Sequence, residues 1–243
     1  MSDTYNVRFY TGKYPNRQQQ ANKDKCICYV EQHLNAAASA KAGYSVVITG
    51  YNCSETSKSW GRWYAQRVGK VFAIPVKGDR GIKVGGYNGR GNSNLKHTNM
   101  PAILLEPLFG SNPQHAEWIR SEDGQNKLAG VLADSIRKFF PEGGKVGFSV
   151  GHKGKPDSDD RGAAVYGSTD MREADYAEIV LNKAAAMLVK QPVQEPAEEE
   201  EDHQICVVKN NKQIWSYADL DENDEVFWNE ENRTLFIFSN SEQ

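Results

Sequence analysis

The chain has 243 residues, 25% of them charged, and a formal net charge of −3. That length holds one well-buried domain and something small besides, and the absence of any run approaching the ~20 apolar residues of a membrane span excludes a transmembrane helix. Four cysteines (Cys26, Cys28, Cys53, Cys206) without a CxxC pair exclude zinc-finger spacing and read as small buried thiols.

The charge is unevenly spread. Residues 191–243 carry three basic and fourteen acidic side chains, a net −11; residues 1–190 carry twenty-six basic against eighteen acidic, a net +8. A basic body suits an anionic polymer, and bacterial cell wall and nucleic acid both qualify. The start, MSDTYNVRFY, lacks the basic onset and apolar core of a signal peptide. Synthesis in the cytoplasm is therefore expected, with any export by another route.

In chain order, YNVRFY (5–10) alternates as a strand does, and YPNRQQQANKDK (14–25) reads as a short polar helix. Residues 26–32 form a second strand, with His33 just past its end. YSVVIT (44–49) is another strand. Trp60, Trp63, Tyr64 and Val68 fall at helical spacing, so 56–70 form an amphipathic helix. Residues 71–76 suggest a short strand. The Gly- and Asn-rich stretch 78–99 reads as a long surface loop, and a loop of that length in a compact domain is usually functional. Ala102 to Leu105 is a buried strand that delivers Glu106, before Gly110, Asn112 and Pro113 break the chain. Residues 114–139 read as one helix ended by Pro141 and the Gly143–Gly144 pair. KVGFSV (145–150) is a strand with Gly151–His152 directly behind it, and a polar loop leads to a helix over about 170–190. QPVQEPAEEEED (191–202) is a solvated linker. Beyond it, 203–243 hold four β-like runs, which predict two hairpins.

Strands alternating with helices predict an α/β fold: an open, mostly parallel sheet with helices on both faces and a small all-β appendage. In such sheets the ligand crevice lies outside the carboxyl ends of the strands. His33, Glu106 and His152 all stand at such ends. Two histidines with nearby carboxylates are the donor set of a catalytic zinc ion, which takes three protein ligands and keeps one position open. Glu173, in the first turn of the last helix, is placed to be the third, although taken alone it fits a capping box with Asp170. His97, His115 and His203 have no such placement and read as structural or exposed.

These residues resemble a family. TNMPAILLEPLFGSNPQHAEWI (98–119) is similar to the signature of zinc-dependent N-acetylmuramoyl-L-alanine amidases of type 3, in which a Pro-Ala-(apolar)-Glu strand precedes Phe-x-Ser-Asn-Pro. YVEQHLNAAAS (29–39) resembles the family's Ser-(apolar)-His-x-Asn segment, GHKGKPDSDDRGAA (151–164) its Gly-His-Gly-Gly opening, and MREADYAEIVLNKAA (171–185) its Glu-bearing helix. The resemblance implies that His33, His152 and Glu173 bind one zinc ion and that Glu106 is the catalytic general base. Asn35 and Asn99 fall to substrate binding or to orienting a ligand. Lys153, Glu31 and Arg161 depart from the family's Gly, Ser and Pro, placing charge near the site.

The motif order is unusual, because the Gly-His opening and the Glu helix come last here. Joining the end of that helix to the first strand restores the family order, so the expected catalytic domain, 1–190, is circularly permuted. Permutation is tolerated where termini lie close together. The implied function is hydrolysis of the bond between N-acetylmuramic acid and the L-alanine of the stem peptide, by a phage-type lysin acting on the cell wall. The implied partner is peptidoglycan, not nucleic acid, and Arg80, Arg90 and Lys96 of the 78–99 loop are candidates to line the glycan groove. The tail is a candidate for wall binding, for homo-oligomerisation or for docking on the basic body. Two rivals share these residues: a zinc carboxypeptidase-like enzyme that trims wall peptides, and a wall-binding protein without catalysis.

Overall fold

The computed structural model describes residues 4–154 and 159–189, and beyond them four strands within 206–238. In order, β1 (Tyr5–Phe9), α1 (Tyr14–Lys23), β2 (Cys28–Gln32), β3 (Val46–Thr49), α2 (Glu55–Phe72) and β4 (Ile82–Val84) are followed by a small hairpin, β5 (Gly86–Tyr87) and β6 (Arg90–Gly91), and by a 3₁₀ turn at Asn92–Asn94. Then come β7 (Ala102–Glu106), α3 (Pro113–Arg120), α4 (Glu122–Phe139), β8 (Gly144–Val150) and α5 (Glu173–Val189).

Six strands form one sheet in the order β1-β8-β2-β7-β3-β4. All neighbours run parallel except β3 and β7, which are antiparallel. Side chains alternate across the sheet, and this sorts the core into two layers. Val30, Ile103, Leu105, Val146 and Phe148 face α2, α4 and α5, meeting Trp60, Tyr64, Leu132 and Leu181. A fully buried aromatic such as Trp60 removes about 150–250 Å² from water, worth about 4–6 kcal/mol of transfer free energy. On the opposite face Tyr29, Ile48 and Leu104 pack with Ala21 of α1 and Leu95. The expected open α/β sheet with helices on both faces is what forms.

Several elements depart from the sequence reading. Residues 71–76 make no strand. Val68 and Phe72 extend the apolar stripe of α2 by another turn, and Ala73, in the left-handed region at φ 53°, ends it. The 114–139 helix is two helices, because Ser121 stops α3 and its hydroxyl accepts from the Gly124 N–H to start α4. The stretch 78–99 is more than a surface loop, since it supplies edge strand β4 and the buried Asn94. Helix α1 is polar yet turns Arg17 and Gln18 fully inward. Cys26 and Cys28 are buried thiols as expected, while Cys53 is partly exposed.

Residues Met1–Val193 and Gln194–Gln243 form two compact units. In the second, β9 (Cys206–Lys209) pairs antiparallel with β10 (Lys212–Ser216), and β11 (Glu225–Asn229) with β12 (Thr234–Phe238). These match the four expected runs; the linker 191–202, His203 and the turns lie outside the described residues. Among the described residues no helix is long and apolar enough to cross a membrane.

Candidate metal centre and active site

The three central strands β8, β2 and β7 are parallel and end in register. Gln32 is level with Val150 on one side and with Leu105 on the other. Cross-strand bonds continue one step further, from Gly151 N–H to Gln32 O at 2.8 Å and from His33 N–H to Leu105 O at 3.0 Å. His152, His33 and Glu106 therefore leave the sheet side by side. Helix α5 brings the fourth group. The loop 161–164 folds against its start, with the Glu173 N–H donating to Ala163 O at 3.0 Å.

Glu173 is 4% exposed, and its carboxylate is the hub of the site. Oε1 lies 3.1 Å from Nδ1 of His33 and 3.2 Å from Nε2 of His152, and it accepts from the Leu34 N–H at 3.2 Å. Oε2 accepts from the Ala163 N–H at 3.0 Å. Burial alone would raise its pKa, but the two histidines hold it far below the carboxylate range. The capping box expected with Asp170 does not form. Helix α5 begins at Glu173, and Asp175 instead accepts from the Arg172 N–H at 2.8 Å.

Each imidazole has a carboxylate behind it. Nε2 of His33 lies 3.0 Å from Oε1 of Glu31, and Nδ1 of His152 lies 2.9 Å from Oδ2 of Asp160. Burial pulls the pKa of His33 down, yet its bonds to Glu173 and Glu31 and the charges of Glu31 and Glu106 push it up to about 10. That of His152 is raised, chiefly by its bond to Glu173. The charged departures from the family pattern are all paired: Lys153 with Glu178, Arg161 with Asp175, and Glu31 as above.

This donor set fits a tetrahedral zinc ion. Donors ~2.1 Å from such an ion stand ~3.4 Å from one another. The donor atoms of His33, His152 and Glu173 all lie within 4.8 Å of each other, with Glu173 near 3 Å from both rings. They open on a cleft of about 610 Å³ that Glu106, Asn35, Tyr44, Tyr87 and Phe109 also line. The hydroxyls of Tyr44 and Tyr87 meet at 3.0 Å. The 78–99 stretch does reach the cleft, but through Tyr87, Gly91 and Asn94; Arg80 and Lys96 are not among its lining residues, and the Arg90 side chain lies outside the described residues. Asn99 is placed elsewhere, on a smaller cavity beside Cys53, with its N–H donating to Asn22 Oδ1 at 2.8 Å. His97 is exposed, while His115 is buried and accepts from the Phe109 N–H at 3.1 Å.

Sequence reasoning did not find Asp160, Arg17 or the Tyr44–Tyr87 pair. Asp160 lies in the 151–164 stretch itself, eight residues after His152, whereas no spacing rule joins Arg17, Tyr44 or Tyr87 to the histidines.

Comparison with known proteins adds the family. Residues 2–138 match the family model described as N-acetylmuramoyl-L-alanine amidase. A curated relative, the endolysin of Bacillus phage SPP1, is 30% identical over 144 residues, 59% of this chain and 51% of the endolysin. The chain thus spans about half the length of that relative. Among solved structures, the catalytic domain of CwlV, an N-acetylmuramoyl-L-alanine amidase from Bacillus (Paenibacillus) polymyxa var. colistinus, is 24% identical, with 53% of this chain and 66% of that one covered at a TM-score of 0.45. The N-acetylmuramoyl-L-alanine amidase from Clostridium difficile 630 gives the same four values. With the family model covering more than half of its length, the chain belongs to the type 3 N-acetylmuramoyl-L-alanine amidase family.

Proposed function

We propose that the protein is a phage-lysin-type enzyme that hydrolyses the amide between the lactyl group of N-acetylmuramic acid and the L-alanine of the stem peptide in the bacterial cell wall. The observation that carries this is the convergence of His33, His152 and Glu173 with Glu106 on one cleft. A zinc ion held by the first three would polarise the scissile carbonyl and acidify a water to a pKa of ~7. Glu106, at the end of β7, takes the proton of that water and returns it to the departing amine of alanine. Glu31 and Asp160 hold the two rings from behind. Asn35 also lines the cleft, with its Oδ1 taken by the Ala36 N–H.

We also infer a circularly permuted catalytic domain over residues 1–190. The family match ends at 138, whereas His152 and Glu173 come from beyond it, and α5 packs on β1 as a joined order requires.

Mass spectrometry of peptidoglycan digested by the zinc-loaded protein, with a chelated control, tests the activity. Free stem peptides beginning in alanine, with glycan strands intact, are expected. Shortened peptides still attached to sugar would make it a peptidase, and no release from several wall types would leave a binding protein. Glu106→Gln should cut turnover by roughly 10²–10⁴-fold with zinc affinity unchanged, and retained turnover would remove Glu106 from its role.

A further inference from the structure

Glu31 stands where a resembling sequence carries serine, and its surroundings are unlike those of a chance charge. It lies in β2, two residues before His33, so both side chains project to the same face of the sheet. It is fully buried. A carboxylate is rarely buried this deeply unless it is paired and hydrogen-bonded. Oε1 accepts from the Asn94 side-chain amide and lies 3.0 Å from Nε2 of His33. The guanidinium of Arg17, also fully buried, stands 3.7 Å away. Arg17 is itself fixed: it donates to Ser149 Oγ at 2.5 Å and to Val150 O at 3.1 Å, and it stacks over the Tyr14 ring at 4.6 Å. Arg17 of α1, Asn94 of the 3₁₀ turn and the His33 ring thus meet at one oxygen atom of Glu31, with Ser149 and Val150 of β8 anchoring Arg17.

We propose that Glu31 is a positioning residue, held by Asn94 and Arg17, that fixes the His33 imidazole with Nε2–H donated backward and Nδ1 presented forward as the metal donor. This rests on the zinc reading of the site. The front of the ring supports it, because Nδ1 is the nitrogen 3.1 Å from Glu173. The second histidine supports it too: His152 repeats the arrangement with its nitrogens exchanged, Nδ1 toward Asp160 and Nε2 toward Glu173. Two rings, each with a carboxylate behind and the same Glu173 oxygen in front, form the pattern by which outer carboxylates orient metal-binding imidazoles. Arg17 offsets the charge of Glu31, so the added carboxylate orients the ring without adding net negative charge beside the donors.

Removing Glu31 alone leaves Arg17 buried without a counter-charge, and that variant is liable to misfold. The test therefore uses two double variants. Arg17→Met with Glu31→Gln removes the ion pair but keeps an oxygen acceptor for Nε2–H. Arg17→Met with Glu31→Leu removes both. Zinc affinity is read by competition with a chromophoric chelator, and the protonated ring nitrogen of His33 in the zinc-loaded protein by long-range ¹H–¹⁵N correlation. The Leu variant should bind zinc about 10–100-fold more weakly than the Gln variant, and wild type and the Gln variant should both show Nε2–H. Affinities within twofold of each other, or a proton on Nδ1 in wild type, would overturn the proposal while leaving the metal site standing. Failure of the wild-type protein to bind zinc at all would instead remove the metal reading and this proposal with it.

Discussion

Gly151 offers the sharpest test of the candidate metal centre, because the three atoms nearest an added Cβ all belong to one candidate donor, His33. It follows β8 directly, and a Cβ built there would lie 2.3 Å from Cε1, 2.4 Å from Nδ1 and 2.5 Å from Nε2 of His33. Carbon atoms in contact sit ~3.5–4.0 Å apart, so in Gly151→Ala the ring must retreat by about 1 Å. Zinc–nitrogen bonds are ~2.0–2.1 Å long and tolerate ~0.2 Å. A displacement five times larger removes one of the three donors. Disturbing only the orientation of a donor already costs ~10–100-fold, so loss of the donor itself should weaken zinc by at least ~100-fold, or ~2.7 kcal/mol. The overpacking strain, ~1–3 kcal/mol, leaves the domain folded, as near-ultraviolet circular dichroism would record. A folded Gly151→Ala protein that competes for zinc as well as wild type would show that His33 is not a ligand, and the reasoning from convergent strand ends would fail.

Three further outcomes follow from the same structure. Zinc at 100 times its dissociation constant should stabilise the protein by ~2.7 kcal/mol, a rise of about 5–11 °C in melting temperature for a unit of this size; a chelator should reverse the rise, and a shift surviving in His152→Ala would place the binding elsewhere. Gly130 lies within α4, where an added Cβ meets nothing within 4 Å, so Gly130→Ala should gain about 0.5–1 kcal/mol in chemical denaturation, and a loss would refute the packing described for that helix. Burial pushes the pKa of His115 down to about 4, below its unfolded value of ~6.5. The unfolded chain therefore binds that proton first: the contribution is intact above pH 6.5 and fades as pH falls from 6.5 toward 4. It should cost up to ~2 kcal/mol between pH 7 and pH 5, read as the difference in pH dependence between wild type and His115→Gln; identical curves would refute it.

The sheet and the candidate donors were readable because their signals are local. An apolar run after Pro101 marks β7, one between Gly144 and Gly151 marks β8, and CICYV opens β2; Glu106 closes its strand, while His33 and His152 fall within two residues of a strand end. Glu173 was reachable through helix spacing, although the rule that favoured a cap at Asp170 pointed the wrong way; what decides is the loop 161–164, whose Ala163 carbonyl takes the first amide of α5. Arg17 was hidden because α1 has almost no apolar residues, and a polar helix reads as solvated whichever face it buries. Its burial depends on Glu31, Ser149 and Val150, which are distant in sequence. Asn94 was hidden for the same reason, inside a stretch whose composition says only that it turns. The reversed direction of β3 leaves no mark in its own residues, since a short buried strand has the same pattern in either orientation.

The distance along the chain between His33 and Glu173, 140 residues, has a consequence for the timing of synthesis. A ribosome adds about 5–20 residues per second, so roughly 7–28 s separate the appearance of the first donor from that of the last. Just before residue 173 is added the nascent chain already holds Glu106 and both imidazoles, but it lacks the carboxylate on which His33 and His152 converge. The site is thus assembled late, by the last helix of the body, and a product cut short before residue 173 would be inert rather than partly active.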